Sequence, residues 1–325
     1  MRIAFWVNDA HEVKTSQTTS MLILAAKGRG HEVWVVGIED LGVDGRGRVV
    51  ARAGKPLGAR EDGRLEVGAP EALDLLTCDA VLIRTNPGRG GRADMHSAAL
   101  GLAELLEARN VRVLNHPAGL RKAASKLFLA GLPAHLRPRT AIGSRIDFLR
   151  EFVEEADGPC VVKPLVGTRG QGVFKVSAHD PNLQAVLATL TESGPAMVQD
   201  YLPEAAAGDM RLIVLEGEPL AVGGRYAAVR RVPAKNDWRS NIHLGGHAIP
   251  AEPTPEQLAA GREMAQHLLG EGIVLAGLDL IGNRAVEINV FSTGGFRDAN
   301  AHAELDYCQP VLDAFERRIQ SPRIP

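Results

Sequence analysis

The sequence predicts an α/β fold that opens with a parallel α/β domain over residues 1–118. Three observations carry this expectation. Ile3–Val7 and Glu32–Val36 are strand-length apolar runs with an apolar helical stretch between them. Strand, helix and strand joined by short connections imply a right-handed parallel crossover. Ala80–Ile83 and Val111–Asn115 repeat the pattern around a second helical stretch, His96–Arg109. Further on, Cys160–Val176 reads as strand, glycine-rich turn, strand.

Taken in order, Asn8–Thr19 is polar and rich in hydroxyls, and Thr18 or Thr19 caps a helix that stops at Gly28-Arg29-Gly30. Residues 42–70 have the glycines and charges of an exposed β-meander or loop. Arg84 follows the third strand. Ligands of open α/β sheets sit beyond the carboxyl ends of strands, so Arg84 is a candidate for a substrate carboxylate; the alternative is a solvated strand-end arginine. Gly119–Phe128, Arg145–Glu155 and Leu183–Thr191 read as helices, and Thr140–Ile142 and Ala196–Pro203 as strands, the latter running into a linker. Asp209–Leu215 is a strand whose hairpin partner is Pro219–Tyr226. Val229–Gly246 carries Arg230, Arg231, Lys235 and Arg239 with no sustained period, as a lid does. Pro255–Leu269 is a helix, Ile273–Ile281 and Ala285–Val290 are paired strands, and Asp306–Arg318 is a closing helix.

Composition excludes several classes. With 45% apolar and 23% charged residues, the 325-residue chain is an ordinary globular sequence with room for two or three domains. A net charge of −2 and 4% aromatics argue against a nucleic-acid platform. Cys78, Cys160 and Cys308 are too far apart for a disulfide framework or a CxxC metal site, which fits a reduced, cytoplasmic setting. The first apolar run is too short for a signal peptide, and none is long enough to span a bilayer.

Two stretches carry chemistry. Gly167, Gly170 and Gly172, with Lys163 before them and Arg169 among them, could cradle nucleotide phosphates or form an ordinary hairpin tip. Glu287 and Asn289 share one face of a strand. A three-residue turn at Gly282–Arg284 would set Asp279 opposite Glu287 on that face; a two-residue turn would put it on the other. Three hard oxygen donors on one face suit Mg²⁺. There is no P-loop, no dinucleotide fingerprint, no HExxH and no GxSxG elbow, and His243 with His247 lacks a third zinc ligand.

The ordered set Lys126, Lys163 with its glycine loop, Gln199-Asp200-Tyr201-Leu202, Asp209-x-Arg211, Arg239-Ser240-Asn241 and Asp279…Glu287-x-Asn289 resembles the ATP-grasp superfamily. Within it, the chain resembles the bacterial glutathione synthetases over most of its length. The resemblance implies an α+β ATP-grasp domain of two lobes, residues 119–195 and 196–325, after the N-terminal domain. It implies an ATP-dependent carboxylate–amine ligase working through an acylphosphate. Lys126, Lys163 and the Gly167–Gly172 loop would hold ATP phosphates, and Gln199 to Leu202 would form the hinge that reads adenine. Asp209 would lie near the ribose. Arg211 would stabilise the phosphate and the reacting carboxylate, and Asp279, Glu287 and Asn289 would bind Mg²⁺, for which Mn²⁺ could stand in. Arg239 and Asn241 would reach from the lid to the acceptor site. Arg84, Arg225 and Ser292 are the substrate candidates. The implied partners are small-molecule or short-peptide substrates and further copies of the chain, with no nucleic acid and no membrane. Three segments depart from the family pattern: Thr85–Gly88, Asn236–Trp238 and Phe291–Phe296. All three would line the acceptor pocket.

Overall fold

Four parallel strands form the first sheet, in the order Glu32–Gly37, Arg2–Val7, Ala80–Ile83, Arg112–Leu114. They belong to a computed structural model that describes residues 1–88, 92–165, 171–235, 237–240 and 245–321. Side chains alternate across the sheet. Ile3, Phe5 and Val7 pack with Leu22, Ile23 and Ala26 of the helix Thr18–Gly28. Ala4 and Trp6 pack with Leu100, Ala103 and Leu106 of the helix Ala93–Glu107. Both faces are covered, which is why these strands read as unbroken apolar runs.

Two expectations for this region need correction. Gln17 occupies the cap position, and Thr18 and Thr19 are buried in the first turn without capping it. Residues 42–70 are β-structure, as expected, but not simply exposed. The strand Val49–Ala53 buries Val49, Ala51 and Ala53 under the first sheet's core.

The second sheet is antiparallel, in the order Thr140–Gly143, Ala196–Asp200, Cys160–Pro164, Phe174–Val176. The helices Ile146–Glu154 and Leu183–Thr191 close it into a separate core, with Leu149, Val153 and Leu187 against Cys160, Val162 and Val198.

The third sheet runs His247–Pro250, Ala228–Val232, Asp209–Leu215, Leu275–Ile281, Arg284–Asn289. Thr254 and Gln257 form a capping box that starts the helix Pro255–Gly270. Met264 and Leu268 of that helix join Leu212 and Leu278 in the core that also holds Trp6 and Leu106. The hairpin expected at Pro219–Tyr226 is shorter. Glu218–Pro219 pairs with the central strand, and Ala221–Val222 then pairs with Arg225–Tyr226. The lid segment begins as a regular strand, Ala228–Val232, and a helix, Phe296–Ala303, precedes the closing helix Cys308–Gln320.

One side chain ties the first sheet to the third. Asn115 Nδ2 donates to Leu275 O and Val290 O, both at 2.8 Å, and Asn115 Oδ1 accepts from Val274 N at 2.8 Å and Leu275 N at 2.9 Å. Beside it, a Cβ on Gly119 would fall 1.9 Å from Glu271 O, so only glycine fits there. No helix among the described residues is long and apolar enough to cross a membrane.

Candidate active site

The strands Leu275–Ile281 and Arg284–Asn289 set the carboxylates. Asp279 stands opposite Glu287, as expected, but by a different route. The turn has two residues, since Ile281 pairs with Arg284, and a bulge at Val286 restores the register. The carbonyl of that bulge residue accepts a hydrogen bond from Lys163 Nζ at 3.0 Å.

Asp279 is fully buried, and taking a carboxylate out of water costs on the order of several kcal/mol. Arg211 forks onto both its oxygens, and Arg231 Nη2 reaches Oδ2 at 2.7 Å. Burial opposes the charge, but the two guanidinium groups outweigh it and keep the carboxyl below its ordinary range. Arg231 also grips Asp209 at 2.6 and 2.7 Å. Burial opposes the Arg231 charge, and Asp279 and Asp209 raise its pKa regardless. Burial pushes Asp209 upward, with Arg231 opposing. Arg231 is a site residue that the sequence reading left among lid residues.

Asn289 Nδ2 donates to Asp279 Oδ2 at 3.3 Å. Glu287 makes no hydrogen bond or ion pair among the described residues. The donor set of Asp279, Glu287 and Asn289 suits a hard cation, with Glu287 open and Asp279 shared with arginine. It is smaller than a cluster of three acidic, histidine or cysteine ligands, and the described residues hold no such cluster.

Lys163 is 7% exposed and forms no ion pair among the described residues. Burial and the Lys126 charge bring its ammonium down to about 8, against the pull of Glu287 and Asp279. Burial lowers Lys126 as well. Its backbone N–H donates to Leu165 O at 3.1 Å. Two poorly solvated cations next to open carboxylate oxygens make a site that gains from an anion, and phosphate is the strongest candidate.

A cavity of about 130 Å³ joins these groups to the segment Gln199–Leu202. It is lined by Lys126, Lys163, Gln199–Leu202, Asp209, Asp279 and Glu287. The N–H groups of Asp200 and Tyr201 are engaged by Arg139 O and Pro159 O. Among the described residues the Leu202 N–H has no backbone acceptor. Gln199 donates to Thr140 Oγ1 at 3.0 Å. Trp238, Arg239 and Ser240 also line this cavity. Trp238 meets Tyr201 edge-on at 6.1 Å, and Lys175 Nζ sits 3.6 Å over the other ring. Arg239 was expected at the acceptor site. It lines the first cavity, paired with Asp237 at 2.8 Å.

A second cavity, lined by Asn86, Lys126, Glu287, Asn289 and Ser292, adjoins the first at Lys126 and Glu287. A third, lined by Arg84 and again Ser292, lies beyond it toward the first sheet. Thr293 O accepts from Arg84 Nη2 at 3.1 Å, and Gly294 O accepts from Arg211 Nη1 at 3.2 Å. The same two residues thus anchor an arginine of each region. Gly277 leaves room for this crossing, since a Cβ there would lie 2.2 Å from Thr293 Oγ1.

Not every expected residue converges. Arg225 is exposed, donates to Ala303 O at 3.0 Å and lines none of the three cavities. Gly172 adopts a positive φ of 66° beside Pro164, while its neighbours Gln171 and Val173 line the first cavity. Gly167, Arg169, Gly170 and Asn241 lie outside the described residues, as does His243.

Comparison with known proteins decides the family. The model of the prokaryotic glutathione synthetase N-terminal domain matches residues 1–121, and that of its ATP-grasp domain matches residues 125–304. The chain belongs to the prokaryotic glutathione synthetase family. It is an ATP-grasp ligase, forming C–N bonds. It is 31% identical to a glutathione synthetase of Nostoc sp. (98% of this chain, 99% of the relative). It is 33% identical to one of Yersinia pestis (93% and 92%). Among solved structures, the D-cycloserine synthetase DcsG superposes with a TM-score of 0.66 at 19% identity, covering 98% of this chain and all of the other (100%). The ATP-grasp ligase PsnB gives 0.63 at 18%, covering 98% and 99%. These two show the shared fold. Of the segments that depart from the family pattern, Asn86 and Ser292 line the second cavity and Trp238 lines the first.

Proposed function

We propose that this glutathione synthetase relative activates γ-glutamylcysteine with ATP and couples it to glycine, releasing glutathione, ADP and phosphate. The observation that carries the reading is the meeting of Lys126, Lys163, Arg231, Asp279 and Glu287 in one cavity that runs from a hinge to a polar acceptor side. A carboxylate oxygen of the dipeptide attacks the γ-phosphorus of ATP, and ADP leaves. The glycine nitrogen then attacks the acyl carbon, and phosphate leaves. Lys126, Lys163 and Arg231 face the phosphoryl oxygens and offset their charge. Glu287, Asn289 and Asp279 would hold Mg²⁺, which supplies charge neutralisation between the phosphates. Arg211 grips Asp279 and Gly294 O and lines none of the three cavities, so its part in this reading is to hold Asp279 in position. Trp238 and Arg239 cover the nucleotide and keep water from the acylphosphate.

The reading includes a cytoplasmic homo-oligomer and a division near residues 118 and 195. The unusual Thr85–Gly88 and Phe291–Phe296 segments favour a second reading, a ligase for another pair of amino acids or peptides. Incubation with ATP, Mg²⁺, γ-glutamylcysteine and glycine should yield ADP, phosphate and glutathione. ADP formation only with other acids or amines would select the second reading, and AMP with pyrophosphate would exclude an acylphosphate. Glu287→Gln should lower turnover at least about a hundredfold with an unchanged melting temperature; full activity would refute the cation site.

A further inference from the structure

The second cavity, of about 90 Å³, has a wall that neither the phosphate nor the cation reading uses. Asn86 stands there, just beyond the carboxyl end of the strand Ala80–Ile83. One side chain clips its backbone on both sides. Asn8 Nδ2 donates to Asn86 O at 2.9 Å, and Asn8 Oδ1 accepts from Asn86 N at 2.6 Å. Asn8 is held in turn, since its carbonyl accepts from Arg92 Nη1 at 2.9 Å. The Asn86 carboxamide is fixed as well. Its Oδ1 accepts from Gly88 N at 3.0 Å, closing an Asx turn. Only the oxygen can meet that N–H, so the bond sets the orientation of the amide. Nδ2 is left over and makes no hydrogen bond among the described residues. With its acceptor occupied and its donor open, Asn86 recognises an acceptor and not a cation or an ammonium. Much of the remaining lining is apolar, from Phe128, Leu129, Leu165 and Phe291. A hydrogen bond made among such walls is stronger than one made in water.

We propose that Asn86 is a specificity-determining residue of the ligase, its Nδ2 donating to the amide carbonyl one residue before the reacting carboxylate of the acid substrate. The inference rests on the ligase reading above. Two features of the cavity select that group. Lys126 also lines it, and a cation is the better partner for a carboxylate. A neutral carboxamide pairs with a neutral carbonyl without burying net charge. The cavity also meets the first one at Lys126 and Glu287, which puts the acceptor at the reacting end of the acid. The acids favoured are N-acylated amino acids, dipeptides among them, over free amino acids.

Calorimetry with the full chain, Mg²⁺ and a non-hydrolysable ATP analogue compares two probes, γ-glutamyl-α-aminobutyrate and its (E)-alkene isostere, in which C=C replaces the amide. The wild type should bind the amide at least about tenfold more tightly. Asn86→Asp keeps an oxygen for Gly88 N and removes the donor, and Asn86→Ser does so without adding charge. In both variants the preference for the amide should fall to about threefold or less. The alkene also lacks the amide N–H, a loss common to all three proteins that the comparison cancels. A loosened loop, or a charge that repels acids, would weaken both probes alike and leave the preference standing. A preference kept in either variant, no preference in the wild type, or binding of neither probe would overturn the proposal. Glutathione formation is measured separately. Tripeptide made with the preference kept in the variants refutes the Asn86 contact alone. A preference lost in the variants, with no tripeptide from the wild type, refutes the glutathione reading alone.

Discussion

At the scale of single residues, the site is built from charges that burial makes expensive. Lys163 has a pKa of about 8 against an ordinary lysine value of 10.5, so its charged form is penalised in the folded chain. Between those pH values the unfolded chain still binds the proton and the folded chain does not, so stability rises with pH across the window, by up to roughly 3 kcal/mol. Denaturant midpoints of the wild type should therefore rise relative to Lys163→Met between about pH 7.5 and about pH 10. A parallel shift of both proteins would contradict the assignment. That Lys126, Lys163, Asp279, Glu287, Asn289 and Gln199–Leu202 line adjoining cavities was legible because each lies in a short motif whose spacing survives without the fold. Arg231 was not. It sits in a five-residue strand, Ala228–Val232, whose last three residues are half-buried, so no alternation announces a strand. Its inward direction follows from its cross-strand partner Asp209, and register is invisible before the sheet is assembled.

At the scale of elements, the strands and helices with a clear period were readable to within a few residues. The irregular joints were not. Counting turn residues gave the right partner for Asp279 by the wrong path, because a bulge at Val286 makes up the missing position. Bulges have no compositional mark as a turn does. Asn115 is the element-scale counterpart: its side chain saturates two N–H and two C=O groups of the strands that carry the site. Asn115→Ala leaves those groups unpaired in the interior and should cost about 3–5 kcal/mol in urea unfolding. A loss under about 1 kcal/mol would mean that water replaces the amide.

At the scale of the molecule, the contact of Trp238 with Tyr201 was not legible, because nothing local to Trp238 says that the two meet. Trp6 and Trp34 are buried in the first sheet, and Trp238 is the tryptophan that lines the first cavity, which the proposed reading gives to the nucleotide. ATP should change the intrinsic fluorescence, and Trp238→Phe should remove that change while keeping nucleotide affinity within about tenfold. A response retained in Trp238→Phe would place the lid elsewhere. The distribution of apolar cores has a further consequence. Trp6 and Leu106 share one continuous core with Leu212, Met264 and Leu278, whereas Leu149, Val162 and Leu187 close on one another. The sheet of Thr140–Asp200 is accordingly the portion that could be exchanged between relatives as a cassette. Severing the chain near residue 122, where the two family matches divide, would leave two halves of one core, neither able to bury its own surface.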